Sequence, residues 1–465
     1  MNSNMSEPEQ SSSVMPVIAQ YIGTAMTKEL PSEVVEKTKF HFLDTVASMV
    51  SGSQMLAGER ALGFLHAQGP SAPQASVLGT RYKGTAINVA MVNGMFGHAD
   101  ETDDSHAESL THPGCGIVAS VLACAELYQR SGADMLKAMA LGYDVCCRLT
   151  KSLHAYQFRV DGHSSHTFGP NFGAAAASGA LAGVNASQAR YLLSYAAQQA
   201  SGVACWMRDK DHIEKAFDFG GMPARNGVSA AVMVINGFTG VEDVFSGERN
   251  FYDAYGVNPL RHALGEALGS RYEIMRTSIK RWTVGSPIQA PLDSLDTLLN
   301  EHPSLTAQLD QIKAIRVLIA HESLSIVNNR EMPEICLQHL LGLMLLEREM
   351  NFTLAHDRAR MQDPRVLELR SLVHLTGSDE LSKLMPTRQG IVEIEFLTGE
   401  SIRAYTKDVK GTPDNAMTRH ELERKCIELM SPILGQARSK SVCDEVWRLE
   451  SLKKASSLAQ LLQSP

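Results

Sequence analysis

The chain has 465 residues, 44% of them hydrophobic and 20% charged, with 43 basic against 51 acidic residues and a net charge of −8. That length suffices for two domains around a large core, and the absence of any basic patch argues against nucleic acid as a partner. No apolar run reaches the roughly 18–20 residues of a spanning helix, so no membrane partner is expected.

The first residues, MNSNMSEPEQSSSVMP, are Ser-rich and acidic. They lack the basic and apolar regions of a signal peptide, and residues 1–15 read as a disordered tail. From about Pro16 to Tyr255 helical periodicity dominates, as in SEVVEKTKFHFLDTVASMV and GADMLKAMALGYDVCCRLTK, with Gly and Pro in the gaps. Between two apolar helical stretches lies Gly97–Gly116, GHADETDDSHAESLTHPGCG, with five acidic residues and three histidines. It reads as a short connection between buried helices, where polar groups need partners or a ligand. Acids and imidazoles sharing one environment shift each other's pKa towards acid–base work.

Two further polar breaks follow. GHSSHTFGPNFG, Gly162–Gly173, places His163 and His166 just ahead of an alanine-rich helix. KAFDFGGMPARNG, Lys215–Gly227, sets Lys215 and Arg225 around an expected Gly-Gly turn that opens the helix VSAAVMVI. Beyond Pro259 the character changes. IKAIRVLIA is a β-branched strand and IVEIEFLTGESIRAY a hairpin, with the helix CLQHLLGLMLLER between them. Residues 266–411 therefore read as an α+β lid domain inserted into a large all-helical domain of residues 16–265 and 412–465, a mainly α fold. The eight cysteines form no CxxC pair, so neither an iron–sulfur cluster nor structural zinc is expected. Free thiols suit a reducing, cytoplasmic setting.

Three segments together resemble the MmgE/PrpD family, whose members include dehydratases of 2-methylcitrate and decarboxylases of cis-aconitate. ETDDSH with THPG matches the family's acidic stretch ending in His-Pro, GHSSHTFG its Gly-x-His turn, and KAFDFGGMPARNG its lysine loop. The resemblance runs from about Val34 into the C-terminal TPDNAMTRHELERKCIELM. It places the family's active-site histidines on His112 and His163, its lysine on Lys215, its first acid on Glu101 and its second on Asp104. The family threonine falls on Ser105, and Lys280 is retained from a later lysine stretch. Two family histidines are replaced, by Asp218 and Gln289.

The resemblance implies a homodimeric, metal-free lyase, a dehydratase or decarboxylase, that needs no cofactor and acts on a short di- or tricarboxylic acid. In that reading His112 and His163 move protons. Lys215 and Lys280, with Arg225, hold carboxylates by charge-assisted bonds, and Ser105 and Gln289 complete the substrate site. An isomerase or epimerase of a related acid fits the same histidine pair. So does a member that has lost activity and only binds carboxylates. A metal enzyme using His98, Glu101, Asp104, His106 and His112 is a further class. Asp218 and Gln289 predict a preferred acid with fewer or differently placed carboxylates than 2-methylcitrate or cis-aconitate.

Overall fold

The computed structural model describes residues 13–464. Most of the expected tail lies outside the described residues. Its last residue, Met15, is fully buried and opens the first helix, α1 (Met15–Thr24).

The helical body is built from α2 (Ser32–Gly52), α3 (Ala86–Gly97), α4 (Pro113–Leu127), α5 (Gly132–Ser152), α6 (Ser165–Ala182) and α7 (Met222–Ile235). In α3, α4 and α6 nearly every residue is buried, as expected of helices apolar all round. α5 starts from a capping box in which the Ser131 side chain accepts from the Asp134 amide, satisfying donors that a helix start leaves open. No helix among the described residues is long and apolar enough to cross a membrane.

The expected Gly-Gly turn does not form. Ile213–Ala216 is α-helical, Phe217–Gly221 widens into one π-helical turn, and the chain continues directly into α7. The glycines serve close packing instead. A Cβ on Gly220 would stand 2.0 Å from the Gly94 carbonyl oxygen, and one on Gly94 would stand 2.3 Å from that of Gly220. Backbone thus rests on backbone, which fixes the Lys215–Phe219 segment against the end of α3.

The chain leaves the helical core near Lys280 rather than at residue 266. Tyr272, Ile274 and Ile279 still pack into it, whereas Trp282 and Val284 join a second core. Residues 266–279 lack helical periodicity and so read as part of the lid, but their apolar side chains bury on the helices. The second core lies between α8 (Gln289–Glu301), α9 (Leu337–Glu347) and a four-stranded sheet. The strands are β1 (Ile312–Ala320), β2 (Val373–Ser378), β3 (Gly390–Phe396) and β4 (Ser401–Thr406), in the order β2-β1-β3-β4. β1 runs parallel to β2 and antiparallel to β3, and β3–β4 is the expected hairpin. From α10 (Arg419–Leu434) the chain returns to α2, burying Leu422, Cys426 and Leu429 in the first core.

Candidate active site

The connection from His98 to His112 lies between α3 and α4. Its acids point in different directions. Asp104 turns inward and is fully buried. Its Oδ1 accepts from the Gly114 amide at 2.9 Å, and its Oδ2 meets His41 Nδ1 at 2.8 Å and the Tyr143 hydroxyl at 2.6 Å. All its bonding capacity goes into anchoring the loop on α2, α4 and α5, so the expected catalytic place for Asp104 is not where the side chain lies.

Its neighbour Asp103 turns the other way. Oδ1 lies 3.0 Å from His112 Nδ1, Oδ2 lies 2.9 Å from His98 Nδ1, and Lys280 Nζ approaches to 3.7 Å. A carboxylate on Nδ1 fixes the ring and leaves Nε2 of His112 to meet a ligand. Glu101 forms an ion pair with Lys215. Lys280 Nζ lies 3.7 Å from the Glu101 carboxylate and donates to its carbonyl at 2.6 Å.

Glu101, His112 and Lys215 border a cavity of about 80 Å³, lined also by Ser105, His166 and Trp206 from the helical body. Ser286, Ile335 and Arg388 close it from the other unit. Ser105 and Arg388 also line an adjoining cavity of about 250 Å³, into which Lys280 and Gln289 open. One wall is aromatic. Phe219 is sandwiched between the rings of His98 at 4.2 Å and His166 at 3.9 Å, with the edge of Trp206 at 4.7 Å. The His112 and His166 rings are 5.2 Å apart.

Of the two histidines expected ahead of the alanine-rich helix, His166 faces this cavity. His163 stacks on Phe158 at 4.5 Å, with Phe168 and Tyr255 at its edges, and does not line the cavity. The helix begins at Ser165, so His166 falls in its first turn while His163 precedes it and turns to the opposite side. Arg225 also lies elsewhere, against the Asn226 side chain and over the Phe217 ring. Gln289 borders the adjoining cavity but its amide is spent. Nε2 donates to the carbonyls of Trp282 and Val284, and Oε1 accepts from the Trp282 amide. Asp218 accepts from Ser164 at 2.5 Å, and Ser164 in turn accepts from Trp206 Nε1 at 3.1 Å. It therefore braces a cavity wall and does not pair with Lys215 or Arg225, which removes the physical ground for a changed carboxylate preference.

Sequence reasoning passed over Asp103, Trp206, Arg159 and Arg388. The arginines are isolated in unremarkable stretches and only the fold brings them together. Both line the cavity, and among the described residues neither has a carboxylate partner. Burial, with Arg159 nearby, lowers the Arg388 pKa to about 10.

Burial dominates the imidazoles. It pushes His112 down to about 4, helped by Lys280 and His98 and opposed by Asp103. Burial likewise holds His166 well below its usual value, with His112 and Arg159 adding to the effect. For Glu101 burial works upward, but Lys215 and Lys280 outweigh it and keep the carboxyl well below the usual range. In the free protein at neutral pH His112 and His166 are thus neutral, whereas at His106, which also lines the cavity, Cys147 and Glu273 outweigh burial and raise the pKa to about 9.

The chain matches the MmgE/PrpD N-terminal domain over residues 17–261 and the MmgE/PrpD C-terminal domain over residues 282–449. The chain belongs to the MmgE/PrpD family. It is 24% identical to a cis-aconitate decarboxylase of Aspergillus terreus, over 100% of this chain and 99% of that protein. It is 23% identical to the cis-aconitate decarboxylase-like protein oryM of Aspergillus oryzae, over 96% of each. The cavity lies where the two MmgE/PrpD domains meet: Glu101, His112, His166 and Lys215 come from the first, Ser286 and Arg388 from the second.

Proposed function

We propose that this MmgE/PrpD protein is a lyase that decarboxylates a short unsaturated tricarboxylate of the cis-aconitate kind. One observation carries the reading. Lys215, Arg159 and Arg388 converge on a small cavity that His112 and His166 also line, and among the described residues neither arginine has an ion-pair partner. Unpaired, half-buried cations call for an anionic ligand, and guanidiniums bind carboxylates through paired, charge-assisted bonds. The inner cavity is small against the roughly 300 Å³ of common ligand sites, and with the adjoining lobe it reaches that range. A ligand spanning both would pass Arg388.

The Aspergillus terreus relative is named a cis-aconitate decarboxylase, and the site has groups suited to such a reaction. Two carboxylates are held by the arginine and lysine cations. The departing carboxylate is pressed towards the aromatic and aliphatic wall of Trp206, Phe219 and Ile335, where lost hydration favours release as neutral CO₂. The carbon–carbon bond breaks, its electron pair shifts through the adjacent double bond, and an imidazole delivers a proton to carbon. The protein recovers that proton from solvent, so each turnover consumes one. The neutral state of His112 in the free protein fits this order of events. A trianion entering the cavity raises the imidazole pKa, and the proton arrives with the substrate.

Incubating the purified protein with cis-aconitate, citrate and 2-methylcitrate, with product detection by NMR, tests the reading. Carbon dioxide release from cis-aconitate is expected. Loss or gain of water without CO₂ would replace the decarboxylase by a dehydratase.

A further inference from the structure

Beside Glu101, with the His98 ring 5.0 Å from that of His112, stands a second group of donors that the proposed reaction does not use. One nitrogen each of His98 and His212 and a carboxylate oxygen of Glu101 lie within 4.8 Å of one another, and all three residues are buried. His98 commits Nδ1 to Asp103, 2.9 Å away, and its Nε2 has no partner. His212 is 3% exposed and makes no hydrogen bond through either ring nitrogen. Its ring lies 5.1 Å from that of His98. Buried imidazole nitrogens without partners are costly, and two of them facing one carboxylate suit a cation.

From this arrangement we infer that His98, Glu101 and His212 form a three-ligand site for a borderline transition-metal ion of the zinc class. Two imidazoles and one carboxylate are a donor set that zinc accepts, with a fourth position left for water. Asp103 on the far nitrogen of His98 supplies the outer-shell carboxylate that orients a metal-bound imidazole and raises its basicity. Neutral imidazoles are the form that binds metal, and burial together with Lys215 keeps His212 neutral. An entry path exists. His212 borders a separate cavity of about 810 Å³, shared with Asp211, Glu334 and His356. The alternative trio His98, Asp103 and Cys115 is weaker, because the Cys115 thiol already donates to the His112 and Phe219 carbonyls.

Lys215 is the ion's competitor, since it holds the same carboxylate. A bound ion would draw Glu101 out of that pair. The consequence that zinc inhibits turnover rests on the function proposed above, whereas binding does not.

The test therefore reads binding first, on the full chain without substrate, by Zn²⁺ calorimetry and the visible absorption of Co²⁺. One ion per chain is expected. His212→Asn removes the imidazole while tolerating the left-handed backbone, φ +60°, at that position. It should weaken binding by at least about 100-fold, the upper end of what losing only an outer-shell partner costs. Lys215→Met should strengthen binding, and Cys205→Ser, at the half-exposed thiol, should leave it unchanged. Absence of binding in the wild type, or binding undiminished in His212→Asn, overturns the site. If zinc binds and His212→Asn abolishes binding, but zinc leaves wild-type turnover of cis-aconitate unchanged, the site stands and the inhibitory consequence falls.

Discussion

At the scale of single residues the account turns on His112 and the carboxylate behind it. Asp103 holds His112 Nδ1 at 3.0 Å, so Asp103→Asn keeps the shape and loses the charge that supports a protonated ring. A fall in kcat of about 10²–10⁴-fold is expected, with KM changing much less. His112 also links pH to stability. Its pKa is about 4 folded against roughly 6.5 unfolded. Above 6.5 neither state carries the proton. As pH falls from 6.5 towards 4 the unfolded chain takes it up first, so stability is lost at about 1.4 kcal/mol per pH unit. Urea denaturation of wild type and His112→Asn across pH 4–7 should show the wild type losing this increment relative to the variant as pH falls; parallel profiles would contradict the assignment. Of His163 and His166, His166→Ala should lose most turnover. His163→Ala, whose ring packs on Phe158, should lose stability and keep the chemistry.

These residues also mark how much of the site was legible in the sequence. The density of acids and imidazoles in Gly97–Gly116, together with Lys215, pointed to the region where the candidate cavity lies. What the sequence could not resolve was direction. Asp103 and Asp104 are neighbours of one residue type, and which one reaches His112 depends on the path of a non-helical loop. His163 and His166 are separated only by where the helix begins. Arg159 and Arg388 are lone arginines more than two hundred positions apart, and no local pattern pairs them.

At the scale of elements the decisive contact is between α3 and the π-helical turn at Phe217–Gly221. This turn aims Lys215 at Glu101 and sets Phe219 between His98 and His166. Gly220→Ala would force a Cβ to within 2.0 Å of the Gly94 carbonyl oxygen, and separating the two backbones should cost about 1–3 kcal/mol. Because the shift carries Lys215 and Phe219 with it, kcat should fall in the same variant. Gly63→Ala is the control. It lies in the helix Leu56–Ala67, and its new Cβ would meet nothing within 4 Å. There the helix propensity of alanine should add about 0.5–1 kcal/mol with activity unchanged. Thermal denaturation and steady-state rates of the two variants check both signs. Three strands of the sheet were the easier part to read, since β1 is an apolar β-branched run and the β3–β4 hairpin alternates, whereas β2 was not foreseen. The Gly-Gly pair was misread as a turn because close backbone packing and a turn call for the same residue.

At the scale of the whole molecule the cavity is a junction. The helical body brings His112, His166, Arg159 and Lys215, and the sheet-bearing unit brings Arg388. A ligand that touches both sides should tie the two units together. A saturated tricarboxylate such as tricarballylate, unable to react through a double bond, should raise the melting temperature; at 100-fold over Kd the stabilisation is about 2.7 kcal/mol. Arg388→Ala should remove most of that shift although the residue belongs to the other unit, and an undiminished shift would place the ligand elsewhere.

The central claim is that an imidazole of this cavity protonates carbon as a carboxylate leaves. Turnover of cis-aconitate in D₂O, followed by NMR, tests it most directly. The account predicts one deuterium on carbon in the product for each CO₂ released, and loss of both in His112→Asn. No CO₂ from cis-aconitate, or full release and labelling in a folded His112→Asn variant, would contradict it.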